Sequence, residues 1–112
     1  DRSIGISGPG AESKIMINHD SKLIEVSSNK DIKISGSSGK ITIEGQDLEI
    51  KSSGNLVIDA SANLEITAGA NLTLKGGVQA ALEGQMTSVK GAQTTVEGSA
   101  MAEIKAPLVK IN

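Results

Sequence analysis

Pairs of aliphatic residues spaced two apart recur about every eight residues along almost the whole chain. The clearest run is Asn55-Leu56-Val57-Ile58, Asn63-Leu64-Glu65-Ile66 and Asn71-Leu72-Thr73-Leu74. A spacing of two puts both members of a pair on one face of an extended strand. The series reads Ile15/Ile17, Ile24/Val26, Ile32/Ile34, Ile41/Ile43, Leu48/Ile50, Leu56/Ile58, Leu64/Ile66 and Leu72/Leu74. It continues with smaller or hydroxyl-bearing residues as Ala80/Leu82, Thr87/Val89, Thr94/Val96, Ala102/Ile104 and Val109/Ile111. Among Ile, Leu and Val, only Ile4, Ile6, Leu23, Val57, Val78 and Leu108 fall off these positions. Chance placement does not concentrate aliphatics in this way. Residues between and after the pairs are polar, as at Thr42, Glu44, Glu49, Lys51, Glu65 and Lys75. No stretch carries a 3.6-residue apolar period, so the chain is expected to be all-β.

The links between pairs read as corners. They include Lys51-Ser52-Ser53-Gly54-Asn55, Asp59-Ala60-Ser61-Ala62-Asn63, Thr67-Ala68-Gly69-Ala70-Asn71 and Lys75-Gly76-Gly77-Val78-Gln79. Gly and Asn supply unusual backbone angles, and Ser and Ala fit where backbones crowd. Hairpins need tighter turn chemistry and usually longer strands. The corners therefore predict a chain that wraps a prism, one face per repeat, and count against a flat meander. Asn18-His19-Asp20-Ser21 reads as a turn. Ile4/Ile6 echo the pair pattern before Ser7-Gly8-Pro9-Gly10 interrupts it. Residues 1–13 are accordingly expected to be a lead-in segment or linker from an upstream domain, and residues 14–112 the repeat domain. The opening Asp1-Arg2-Ser3, without Met or an apolar leader, suggests an excised piece of a longer chain. After residue 78 the seven-residue steps leave a second register open.

Composition narrows the partners. The chain has no Phe, Trp or Tyr, so its core must be a narrow one of aliphatics. It has no Cys, hence no disulfide or thiolate metal site. Net charge is -2 with both signs interspersed. No basic block or stacking ring points to nucleic acid. No apolar run approaches the roughly 18–20 residues of a membrane span.

A repeat this short cannot bury its apolar side alone and must stack on copies of itself. Three faces of eight residues close one turn, so a lone chain would make only about four turns and would need caps. No helical or aromatic-rich cap is present in the sequence. Three intertwined chains share every layer and leave no lateral sheet edge. Roughly thirteen rungs at ~4.8 Å give a rod on the order of 60 Å long. The expected architecture is an intertwined homotrimeric triple-stranded β-helix, a β-prism needle with approximately octapeptide repeats. Lys75, Glu83, Lys90, Glu97 and Lys105 alternate in sign after successive pairs and would fix chain register by pairing across rungs.

Repeats such as Gly39-Lys40-Ile41-Thr42-Ile43-Glu44-Gly45, Ser53-Gly54-Asn55-Leu56-Val57-Ile58 and Ala70-Asn71-Leu72-Thr73-Leu74-Lys75 resemble the C-terminal spike of VgrG proteins. They are similar also to the cell-puncturing spikes of contractile phage tails and extracellular injection particles. The ending, from Ala102 through Pro107 to Asn112, resembles the natural tip of such spikes. The resemblance covers residues 14–112 and rests on a repeat grammar, not on a catalytic motif. It implies a homotrimer at the tip of a contractile injection system, such as type VI secretion or a phage tail baseplate. Upstream it implies a hub, a barrel domain and tail-tube or baseplate proteins. At the C-terminal end it implies a conical tip-capping protein, with Pro107, Leu108, Ile111 and Asn112 as its contact. It also implies assembly in the bacterial cytoplasm or a virion-like particle, ejection to the target cell surface and a transient passage through the target membrane. It implies no catalysis and no cofactor. The weakened half after residue 78 departs from the simplest pattern. There the prism is expected to narrow, or to hold axial water or ions against Thr87 and Thr94.

Other chemistry reads more weakly. His19 is the single His and sits beside Asp20 in a polar turn, so solvation is its expected state. Metal sites need several convergent ligands. Glu44, Asp47 and Glu49 resemble a glycosidase carboxylate pair only superficially; surface solvation and pairing with Lys40 or Lys51 is the expectation. Tailspikes that cleave sugars also hold them on aromatic platforms, which this chain lacks. Asn55, Asn63 and Asn71 fit corner residues that bond nearby backbone. Gly36-Ser37-Ser38-Gly39 and Gly76-Gly77 are too short for a phosphate loop. The calcium-binding Gly-Gly-x-Gly-x-Asp repeat is missing. Met86 and Met101 are expected on outward positions, where they pack on a neighbouring strand or help dock a cap. The competing classes are a trimeric β-helical adhesin or tail-fibre segment, an ice-binding solenoid and a solenoid enzyme. Left-handed β-helix acyltransferases use a six-residue period and a catalytic His, and ice-binding faces repeat Thr outward; neither matches.

Overall fold

The computed structural model describes residues 3–7 and 13–112 of the chain. Among them there is no helix, and the protein is all-β. The Ser7-Gly8-Pro9-Gly10 interruption lies largely outside the described residues. Two compact units divide the chain, Asp1–Ile58 and Asp59–Asn112.

The first unit carries three strands: β1 (Ser3–Ser7), β2 (Ser13–Asn18) and β3 (Leu23–Ser28). They form an antiparallel sheet in the order β1-β2-β3. Ile15 lies between Ile6 and Val26, and Ile17 between Ile4 and Ile24. Strand alternation therefore collects Ile6, Ile15, Ile17, Ile24 and Val26 on one face. The other face carries Lys14, Met16 and Glu25, with a 3.3 Å ion pair between Lys14 and Glu25. Ser13 and Ser28 share a 3.0 Å hydroxyl hydrogen bond across β2 and β3.

This meander departs from the wrapping path expected for the pairs Ile15/Ile17 and Ile24/Val26. The reason is local. The turn at residues 19–22 reverses the chain, and the Ser21 amide donates to the Asn18 side-chain oxygen at 3.0 Å. Lys22 completes the reversal at φ 58°, a left-handed conformation that costs a side-chain-bearing residue stability. Strands of six residues then have enough length to ladder with each other.

Beyond Ser28 the described chain forms no further ladder with itself. It runs as extended segments broken by evenly phased bends. In the first unit these fall at residues 29–30, 37–39, 46–47 and 53–54. In the second they fall at residues 61–62, 69–70, 77–78, 85–86, 92–93, 99–100 and 107. Each lies within one of the links between aliphatic pairs. In the corner before Asn55, the Ser52 hydroxyl donates to the Asn55 carbonyl at 2.8 Å. Between corners the alternation persists without a neighbouring strand. Glu49 and Lys51 pair at 3.2 Å, and Glu103 and Lys105 at 3.0 Å. Pairing at a spacing of two puts each acid and base on one side of the strand, and Ile50 or Ile104 on the other.

Replacing Lys22 by Gly removes the left-handed penalty. Lys22→Gly is expected to raise unfolding free energy by about 0.5–1 kcal/mol, read from the denaturant midpoint. Lys22→Val is expected to lower it.

Candidate functional site

The candidate site is a stripe rather than a cleft. No described apolar side chain is buried. Within the first unit Ile15, Ile17, Ile32, Ile34, Ile41, Ile43, Leu48, Ile50, Leu56 and Ile58 are all open, Ile41 at 49%. Within the second, Leu64, Ile66, Leu72, Leu74, Leu82, Val89, Val96, Ile104, Val109 and Ile111 are likewise open, from 45% at Val109 to 86% at Ile111. Apolar exposure this regular within each unit is far beyond what a lone soluble chain presents, which marks it as an interaction surface.

Corner geometry explains how the stripe stays in phase. Two residues after each pair from Ile32/Ile34 to Ala102/Ile104 stands a small residue: Gly36, Gly45, Ser52 and so on to Gly98 and Ala106. This third position of the alternation went unrecognised in the reading by pairs, although its period is the same. The structure gives its reason. A Cβ on Gly76 would collide with the Gln79 carbonyl, and one on Gly98 with the Met101 carbonyl. The chain folds back over these positions as it bends, leaving no room for a branched side chain. The same phase continues after residue 78, through the bends at 85–86, 92–93, 99–100 and 107.

The remaining candidates occupy separate places. His19 is exposed in the turn at 19–22. Glu44, Asp47 and Glu49 are exposed, and Glu49 is held by Lys51. Among the described residues no three His, Cys, Asp or Glu side chains gather as a metal site would require. Thr94 Oγ1 lies 3.3 Å from where a Cβ on Gly91 would sit, so in the single chain this hydroxyl packs toward its own corner. Met86 and Met101 are exposed, as are Leu108 and Ile111 near the C-terminus, with Pro107 at the last bend. Among the described residues, each unit carries an open groove. One of about 420 Å³ lies across one end of the sheet, over Ile6, Ile15 and Val26 of the three strands, and reaches Ile32. The other, of about 400 Å³, lies between Leu74 and Leu82. Both are lined mainly by members of the aliphatic pairs and their corners, so each belongs to the stripe of its own unit.

No protein-family model, curated protein or solved structure matches this chain.

Adjacent glycines provide an internal control on the corner. Gly76→Ala is expected to destabilise the fold by about 1–3 kcal/mol through overpacking against the Gln79 carbonyl. Gly77→Ala has open space around it and is expected to be near neutral. Denaturant titration of the two variants checks this.

Proposed function

We propose that this chain is the structural spike of a contractile injection apparatus, working as an intertwined homotrimer that pierces a target envelope mechanically. The observation that supports it is the exposed aliphatic stripe with evenly phased bends. Its extended segments have no ladder partner of their own after Ser28. Two further copies supply such partners on every rung and close the apolar faces around a shared axis. Each Ile or Leu covered in this way contributes roughly 1.5–3 kcal/mol. The pairs repeat along the chain, so stability is distributed over many rungs and no single one is a weak point. The product is a stiff rod, and stiffness is the property that a piercing element needs. No bond is made or broken. The resemblance to VgrG-type spikes supplies the partners of the proposal: a hub and tail-tube or baseplate proteins upstream, a conical tip protein at Pro107, Leu108, Ile111 and Asn112, and a membrane crossed in transit. It supplies the place of action as well, at the surface of the target cell after ejection.

Sedimentation equilibrium is expected to give three times the 11.4 kDa chain mass, with a trimer band that survives SDS until heated. A stably folded monomer would sink the proposal. In the injection particle that carries the chain, Ile66→Asp is expected to abolish delivery by unravelling the rod. Glu44→Gln and Glu49→Gln are expected to leave delivery intact, which a carboxylate-dependent enzyme would not allow.

A further inference from the structure

One outward position of the repeat carries information that the pairs do not. It is the residue directly after the second member of each pair. In the second unit it is Asp59, Thr67, Lys75, Glu83, Lys90, Glu97 and Lys105, and Glu44 and Lys51 precede them. Wherever two neighbouring repeats are both charged here, the signs are opposite. The side chains are available for contact: Lys51 is 79% and Lys105 89% exposed, each on the side of its strand away from the aliphatics.

What lies over each charge depends on how many chains wind together. Three repeats complete one turn of a three-sided prism. In a single-chain solenoid, repeat n is therefore covered by repeat n+3 of the same chain. In three intertwined chains, it is covered by repeat n+1 of a neighbour. Stacked strands sit ~4.8 Å apart, so these side chains meet. The solenoid puts Lys51 on Lys75 and Asp59 on Glu83, like on like, and Lys75 on Glu97 and Glu83 on Lys105, opposite, so its attractions and repulsions cancel. The intertwined path puts Lys75 on Glu83, Glu83 on Lys90, Lys90 on Glu97 and Glu97 on Lys105, opposite throughout. A chain slipped by one further repeat puts Lys75 on Lys90 and Glu83 on Glu97, again like on like.

We infer that these residues form a charged column along each of three edges, and that the column selects as partner a second copy of this chain set one repeat out of step. The aliphatic pairs make this choice poorly, because successive rungs from Ile32/Ile34 to Leu72/Leu74 offer nearly the same apolar face. Each exposed pair is weak alone, but mismatched registers accumulate repulsions along all three edges. The inference rests on the trimer reading and adds to it which repeat of the neighbour each repeat touches.

The test is the double variant Glu83→Cys/Lys90→Cys, oxidised with copper phenanthroline. Strands at this spacing place Cα atoms within disulfide range. The expected result is a covalent trimer on a boiled, non-reducing gel, absent from either single variant. A protein that sediments as a trimer yet yields only monomer on that gel overturns the column and leaves the trimer standing. A folded monomer overturns both. A charge series provides a measurement that needs no disulfide. Lys90→Glu is expected to lower the melting temperature by several degrees at low salt and by less at high salt. Inverting all five of Lys75, Glu83, Lys90, Glu97 and Lys105 is expected to restore it, since Thr67 buffers the inverted block from Asp59. Equal melting of Lys90→Glu and the unmodified chain, or failure of the inversion to rescue, contradicts the column.

Discussion

An eight-residue rung has no second layer of its own, so its aliphatic pair must be covered by another strand. The chain beyond Ser28 follows from that constraint. The pairs are exposed in the single chain because a strand of this length followed by a corner cannot fold back on itself. The corners keep the same phase because a pair that rotated out of line would lose its cover. The chain has no aromatic residue, so its apolar positions are filled by aliphatics alone. The apolar surface is thus a demand for cover, and in the proposed trimer identical copies would meet it with one set of residues.

Two features of the repeat serve that demand without adding apolar area. Small residues after each pair let the backbone turn, and at Gly76 and Gly98 a carbonyl occupies the space that a side chain would take. Charged residues between them face outward and pair along their own strand, as Glu49 does with Lys51. Small positions therefore supply direction; in the proposed trimer the inward positions supply stability and the outward charges supply discrimination between neighbours. The three-stranded sheet at residues 3–28 follows another rule. There the strands are long enough to ladder within the chain, while its apolar face, from Ile6 to Val26, stays as open as the rungs that follow.

Much of this was legible in the sequence. The pair spacing gave strand alternation, and the Gly, Ala, Ser and Asn links gave corners close to where the bends fall. The antiparallel pairing of β2 with β3 was not legible from the pairs, because Ile15/Ile17 and Ile24/Val26 obey the same alternation whether their strands stack on another chain or on each other. The difference lies in the turn at 19–22, whose reversal depends on an Asn18 side-chain bond and on a strained Lys22. Neither leaves a strong mark in composition. The small position after each pair is visible as a period, and the carbonyls that crowd Gly45, Gly76, Gly84, Gly91 and Gly98 give it a meaning. For the exposed stripe, position could be read in advance; what covers it could be reasoned only from stacking geometry.

Hydrogen exchange tests the central claim most directly. Extended segments from residue 32 to residue 111 have no ladder within one chain, so any slow amides there must be held by other copies. The account predicts slow, alternating protection through the rungs at Ile41/Ile43, Leu56/Ile58, Leu64/Ile66 and Leu72/Leu74, lost together when the trimer is dissociated. Exchange at unprotected rates across these rungs in the native protein would contradict it.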